Sequence, residues 1–267
     1  MPELPTAAPH VKAPHGKARR VLVAVAHGSA DPRAAAAIGR LLPLVAARAE
    51  ARGLAIPELR IAYLGHAAPS VPQVMGSIDP RSPVTVLPLL LTAAYHSKTD
   101  IPRVLARAGV RPGRVTYGDP LGPHPLLLRA LERRVAEADP AALKHPWRTA
   151  VVLAAAGSSD SQANATIARL AAQWQVRTGW LAVHAAYASA AGPDPATAVA
   201  GLLAAGARRV LVASYLLAPG FFADRIRDTA LAAGATAVSP ALGASAELAD
   251  VVIDRYREAG TRQQTAA

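Results

Sequence analysis

The sequence predicts an α/β fold built twice over, as two tandem domains that each hold a mainly parallel four-stranded sheet flanked by helices. Three observations predict it. Short apolar runs alternate with longer helix-like stretches, and the alternation restarts near residue 149. Hydrophobic residues make up 52% of the chain and aromatic residues only 4%, so the core must be built from Ala, Val and Leu, which suits helices packed closely on parallel strands.

In the first half, apolar runs at 21–26, 58–64, 84–91 and 114–118 read as strands, with helical segments at 31–52, 70–78, 98–108 and 125–138 between them. Ser29 and Asp31 before Pro32, and Asp100 before Pro102, signal helix starts, while Gly53 and Gly109 fit helix ends. The second half gives strands at 149–155, 180–187, 209–217 and 236–239. Its helices are expected at 160–174, 194–205, 222–232 and 245–258. The expected organisation is a disordered leader over 1–19, a first domain over 20–138, a linker over 139–148, a second domain over 149–260 and a disordered tail over 261–267.

The halves align by eye. Ala26-His27-Gly28-Ser29-Ala30-Asp31 faces Ala155-Ala156-Gly157-Ser158-Ser159-Asp160, and Leu90-Leu91-Thr92-Ala93-Ala94-Tyr95-His96 faces Leu216-Leu217-Ala218-Pro219-Gly220-Phe221-Phe222. Under this alignment His27 becomes Ala156 and His96 becomes Phe222. The second half keeps the skeleton and loses both imidazoles, which reads as a catalytic domain facing a structural or substrate-enclosing one.

Composition narrows the function classes. The chain has 267 residues, no cysteine, and 29 Lys+Arg against 18 Asp+Glu, a formal charge of +11. Disulfides, thiolate metal sites and cysteine-ligated iron–sulfur clusters are excluded. No apolar run approaches the roughly 20 residues of a membrane-spanning helix, and no signal-type segment opens the chain. A cytoplasmic protein that does not engage a membrane is expected. The positive field would attract an anion, but no platform of interleaved basic and aromatic residues marks a nucleic-acid binder. A polycarboxylate small molecule fits the field as well.

His27 and His96 each stand at a predicted strand exit. In open parallel sheets ligands bind beyond the carboxyl ends of the strands, so two exits distant in sequence can form one site. Two neutral imidazoles suit a borderline divalent ion such as Fe, Co, Ni or Zn and leave coordination positions open. Taken alone, His27-Gly28-Ser29 is equally a turn cap or a phosphate loop, and His96 an ordinary loop residue. A histidine-phosphatase reading would need an arginine where Ala26 stands. His66 and His184, at the exits expected for the second strand of each half, and His124, in the turn after the fourth strand, are candidates to line the cleft. Ser29 and Tyr95 are further candidates for substrate contacts, and Arg33, Lys98, Arg103 and Arg225, near the same loops, are candidates to pair with substrate carboxylates. For each of these a solvated or purely local role is the alternative.

Together these residues resemble the sirohydrochlorin chelatases, including the CbiX-type enzymes of the cobalamin pathway, over nearly all of residues 20–258. The resemblance is carried by His27-Gly28-Ser29 with Asp31-Pro32, by Ala67-Ala68-Pro69-Ser70, and by Pro88-Leu89-Leu90-Leu91 leading through Tyr95-His96 to Asp100-Ile101-Pro102. It implies two flavodoxin-like domains enclosing a cleft in which Fe2+ or Co2+, with Ni2+ a further candidate, is inserted into a tetrapyrrole bearing acetate and propionate groups. His27 and His96 would be the metal ligands and proton acceptors, with no organic cofactor. Family members often carry a glutamate in the segment that here reads Leu64-Gly65-His66, and His66 stands in its place. A monomer or weak homodimer is expected, since the duplication supplies both domains. The reading from another class is a non-catalytic carrier of metal or tetrapyrrole that uses the same cleft.

Overall fold

The computed structural model describes residues 20–54, 56, 58–92, 100–108 and 113–265. The expected leader, together with Tyr95, His96, Lys98 and Gly109, lies outside the described residues. Two four-stranded parallel sheets form. The first has the order β2-β1-β3-β4, with β1 Val21–Ala26, β2 Glu58–Tyr63, β3 Val84–Pro88 and β4 Val115–Tyr117. The second has the order β6-β5-β7-β8, with β5 Ala150–Ala155, β6 Ala182–Tyr187, β7 Val210–Tyr215 and β8 Ala237–Val238. Register confirms the duplication. Val21 pairs with Val84 just as Ala150 pairs with Val210, and with Glu58 just as Ala150 pairs with Ala182.

The helices are α1 Pro32–Ala51, α2 Val71–Gly76, α3 Ile101–Arg107, α4 Pro125–Ala138, α5 Ser161–Thr178, α6 Pro195–Ala204, α7 Phe221–Ala232 and α8 Ala246–Thr265. Asp31 caps α1 by accepting from the Arg33 N–H, with Pro32 in the first turn, as its sequence signal implies. Asp100 makes no such side-chain bond. Helix α5 outruns its expected end at 174 because nothing breaks it before Gly179, whose left-handed φ of 71° closes it. Strand β3 stops short of its expected end at 91. Its neighbour β1 ends at Ala26, and the last bond across that edge runs from the Leu89 N–H to the Val25 carbonyl.

Strand alternation sets the layers. In β1, Leu22, Ala24 and Ala26 face one side and Val21, Val23 and Val25 the other; in β5, Val151, Leu153 and Ala155 oppose Ala150, Val152 and Ala154. The outer faces are covered by α2 and α3 on the first sheet and by α6 and α7 on the second. The inner faces share one apolar middle with α1, α4, α5 and α8. Among the described residues no helix is long and apolar enough to cross a membrane.

The last helix of each half crosses to the other. Helix α4 packs on β7 and β8, and α8 packs on α1, β3 and β4. Arg134 of α4 donates to the Leu242 carbonyl at 3.1 and 2.7 Å, and Arg255 of α8 donates to the Pro120, Leu121 and Pro123 carbonyls at 2.8, 3.2 and 2.9 Å. Arg134 and Leu121 have Arg255 and Leu242 as counterparts 121 positions on, so the two clamps are equivalent. Asp250 of α8, only 7% exposed, accepts both arms of Arg48 at 2.5 and 2.6 Å and Arg52 at 2.8 Å.

His124 belongs to this framework, as the local turn before a helix, and is not among the residues that line the cleft. Its Nδ1 accepts the Leu126 N–H at 3.2 Å and so caps α4. Its Nε2 lies 3.7 Å from Asp254. Burial, then the Arg255 charge, hold its pKa below the usual imidazole range, against a smaller opposing pull from Asp254.

Two measurements check this account. Asp250→Asn keeps the shape but takes from Arg48 its paired carboxylate and leaves Arg52 with only the longer contact to Asp254, and should cost about 1–2 kcal/mol in denaturant unfolding. For His124, folding favours the neutral ring, so the folded state binds fewer protons than the unfolded chain. Stability should therefore fall as pH drops through the unfolded value of about 6.5 and level off below the lower folded pKa. His124→Asn, which retains a capping acceptor, should remove that segment of the pH–stability profile.

Candidate functional site

Both sheets direct their carboxyl ends into one cleft of about 990 Å³. From the first half it is lined by the loop after β1 (His27, Gly28, Ser29), by Tyr63 at the end of β2 and His66 beyond it, and by Leu89 to Thr92 after β3. The second half contributes Ala156 to Ser159, Ser189, Ala190 and the run from Leu216 to Ala223.

Backbone bonding fixes the imidazoles. Beyond the paired strands β1 and β2, the Leu64 N–H donates to the Ala26 carbonyl at 3.0 Å and the Gly65 N–H to the His27 carbonyl at 3.1 Å. Gly28 must be glycine. Its φ is +90°, and a Cβ there would sit 1.7 Å from the Gly65 carbonyl oxygen. This close approach brings the two rings to stack, with centroids 6.4 Å apart and planes inclined by 17°. Both side chains are exposed. His27 Nδ1 lies 3.2 Å from the Gly28 carbonyl; when it donates there, the lone pair sits on Nε2.

The same loop geometry recurs in the second half without the chemistry. Gly157, at φ +86°, would bring a Cβ 1.9 Å from the Ser189 carbonyl oxygen, and Ser189 donates its N–H to Ala156. His66 (φ 59°) matches Ala190 (φ 58°), two non-glycine residues in the left-handed region at equivalent places. The counterparts of His27 and His66 are therefore Ala156 and Ala190. His184, suggested by sequence as the partner of His66, instead stands in the middle of β6, paired with Val152 and exposed, and is not among the cleft-lining residues.

Ser29 lines the cleft, and its Oγ accepts the Asp31 N–H at 3.1 Å, as Ser158 does for Asp160 at 3.0 Å. The repetition marks it as a turn-forming residue. Arg33 bonds Asp31 and reaches across to Asp224 of α7 at 2.5 Å, tying the histidine loop to the opposite half. Tyr215 donates its hydroxyl to the Leu91 carbonyl at 3.1 Å, which anchors the chain leaving β3 toward His96. A smaller cavity of about 330 Å³ is also lined by His27 and His66, with Asp100, Arg103 and Arg107. Among the described residues no three His, Asp or Glu side chains converge as a metal cluster. Sequence reasoning did not single out Phe221, although the chain's two phenylalanines stand side by side.

Comparison with known proteins agrees with the fold and the duplication. A family model described as CbiX matches residues 21–138 and again 150–259. A sirohydrochlorin cobaltochelatase of Priestia megaterium is 28% identical over 147 residues, which is 54% of this chain and 48% of that protein, so the match spans about half the length of that relative. A sirohydrochlorin ferrochelatase of the same organism is 25% identical over 181 residues, 66% of this chain and 67% of that protein. The structure of SirB from Bacillus subtilis with Fe3+ superposes with a TM-score of 0.71 at 22% identity, over 92% of this chain and 98% of that one. At that identity the likeness is one of fold. With both halves matched in turn, this duplicated chain belongs to the CbiX family.

Proposed function

We propose that the protein is a sirohydrochlorin chelatase, inserting Fe2+ or Co2+ into the tetrapyrrole within the cleft between its two sheets. The observation that carries this reading is the paired stack of His27 and His66 at adjoining strand exits, facing an apolar wall in which both counterparts are alanine. The names of the relatives supply the substrate class.

The chemistry asks for such residues. Insertion removes two pyrrolic protons and exchanges the ligands of the ion stepwise for four ring nitrogens. An imidazole titrating near neutrality can accept a proton, and in its neutral form it donates a lone pair to a borderline ion. His27 and His96 are assigned these tasks, with His66 joining His27. The left-handed turn at His66 is shared with Ala190 and belongs to the loop geometry of both halves; what sets His66 apart is its imidazole, stacked on that of His27. The cleft volume falls within the range of small-molecule sites, and its walls are mostly hydrophobic. The net charge of +11 draws in a polycarboxylate. Imidazole accepts both iron and cobalt, so the choice between them rests on geometry and supply. One chain supplies both walls, which fits a monomer or weak homodimer; the proposed location is the cytoplasm, with Ni2+ as a further substrate to assay.

The test is metal insertion followed by absorption spectroscopy with protein well below stoichiometry. The wild type should accelerate insertion of Fe2+ or Co2+. His27→Ala and His96→Ala should each lower kcat by about 100-fold or more, and His66→Ala by about tenfold, with unchanged thermal unfolding for the exposed His27 and His66. A spectral change only at equimolar protein would identify a carrier. Near-normal rates in both His27→Ala and His96→Ala would refute the assignment.

A further inference from the structure

The chain holds two phenylalanines, and both stand at the start of α7 on the cleft. Phe221 is 71% exposed and Phe222 37%, with their rings in edge contact at 5.7 Å. A phenyl group left in water forgoes the burial that organises the rest of this aromatic-poor molecule. Its placement is fixed nonetheless. Gly220 turns the chain into α7 at φ 153°, and Asp224, in the first turn, is bound by the same Arg33 that bonds Asp31 beyond the His27 loop. The phenyl pair is thus held by an ion-pair tie to the loop that carries the imidazole. In the duplication Phe221 and Phe222 occupy the places of Tyr95 and His96. Arg225, exposed and one turn beyond Phe221, shares its side of the helix and stands outside the residues that line the cleft, where only the periphery of an occupant could reach it.

We propose that Phe221 is the stacking residue of the site: its ring face packs on the conjugated macrocycle from the side opposite His27 and His66, while Arg225 pairs with one of the macrocycle's peripheral carboxylates. The proposal rests on the tetrapyrrole reading above. A flat π-system is the occupant that an exposed phenyl face at the lip of an apolar cleft favours over a compact ion, and offset stacking accommodates a ring free to slide until its centre meets the imidazoles. The charged arm then sets its rotation. Phe221 acts in binding, so its loss falls on KM and on direct affinity, whereas loss of an imidazole falls on kcat.

The experiment titrates metal-free sirohydrochlorin into the protein by fluorescence quenching and runs insertion kinetics in parallel, with Phe221→Ala, Phe221→Leu, Phe221→Trp, Arg225→Ala and His27→Ala. Phe221→Ala and Phe221→Leu should both raise Kd and KM about tenfold, and Phe221→Trp should hold both near wild type, because an aromatic face rather than apolar bulk is required. Arg225→Ala should raise Kd severalfold, with an effect that shrinks in high salt. Wild-type affinity in Phe221→Leu, or in Phe221→Ala, overturns the proposal, as does failure of the wild-type protein to bind the macrocycle. If macrocycle affinity follows Phe221 while His27→Ala leaves the insertion rate intact, the stacking role stands and the assigned chelatase mechanism falls.

Discussion

The structure depends on the reciprocal exchange of the last helix of each half. Arg134 of α4 clamps the loop after β8, and Arg255 of α8 clamps the loop after β4, each through backbone carbonyls that would otherwise be left unpaired near a half-buried interface. With α1 and α5 these helices fill a single apolar middle layer. Two sheets locked on either side of that layer cannot drift apart, and their carboxyl ends open on the same space. The cleft is therefore a consequence of the exchange, and the Arg48–Asp250 pair, which joins α1 to α8, fastens the same layer.

Duplication then allows the two walls to differ while the turns beside the cleft keep the same form. Gly28 and Gly157 make the same close approach to a carbonyl oxygen, and His66 and Ala190 take the same left-handed turn. At these turns the side chains differ: imidazoles at His27 and His66 on one wall, methyl groups at Ala156 and Ala190 on the other, and phenyl rings where the exit of β7 turns into α7. Polar chemistry concentrates on one face of whatever occupies the cleft, and apolar contact on the other. For a flat molecule with ionisable protons at its centre, that division of labour gives each face a separate task.

Much of this was legible in the sequence because strand alternation and helix caps are local signals. The alignment of His27 with Ala156 survives intact, since the strands on which it rests have equivalent registers. What was not legible depends on long-range packing. The hydrophobic pattern of α4 is satisfied by any apolar face, so nothing in it specifies the sheet of the other half; of the two readings that the sequence leaves for His124, the turn before a helix is the one its capping bond matches. The partner of His66 was misplaced onto His184 because the loops after β2 and β6 are set by a turn rather than by a motif, and the shared positive φ that reveals the match is invisible in residue letters. Phe221 lacked a periodic signal altogether; its significance comes from what it faces.

The proposed function requires a planar macrocycle to sit between an imidazole wall and a largely apolar wall of one chain. A crystal structure of the protein with cobalt-loaded sirohydrochlorin measures this most directly. The ring is expected inside the cleft, with the imidazole of His27 over the metal on one face and the second half's apolar wall on the other. A ring bound outside the cleft, or with its metal turned toward Ala156 and Ala190, would contradict it.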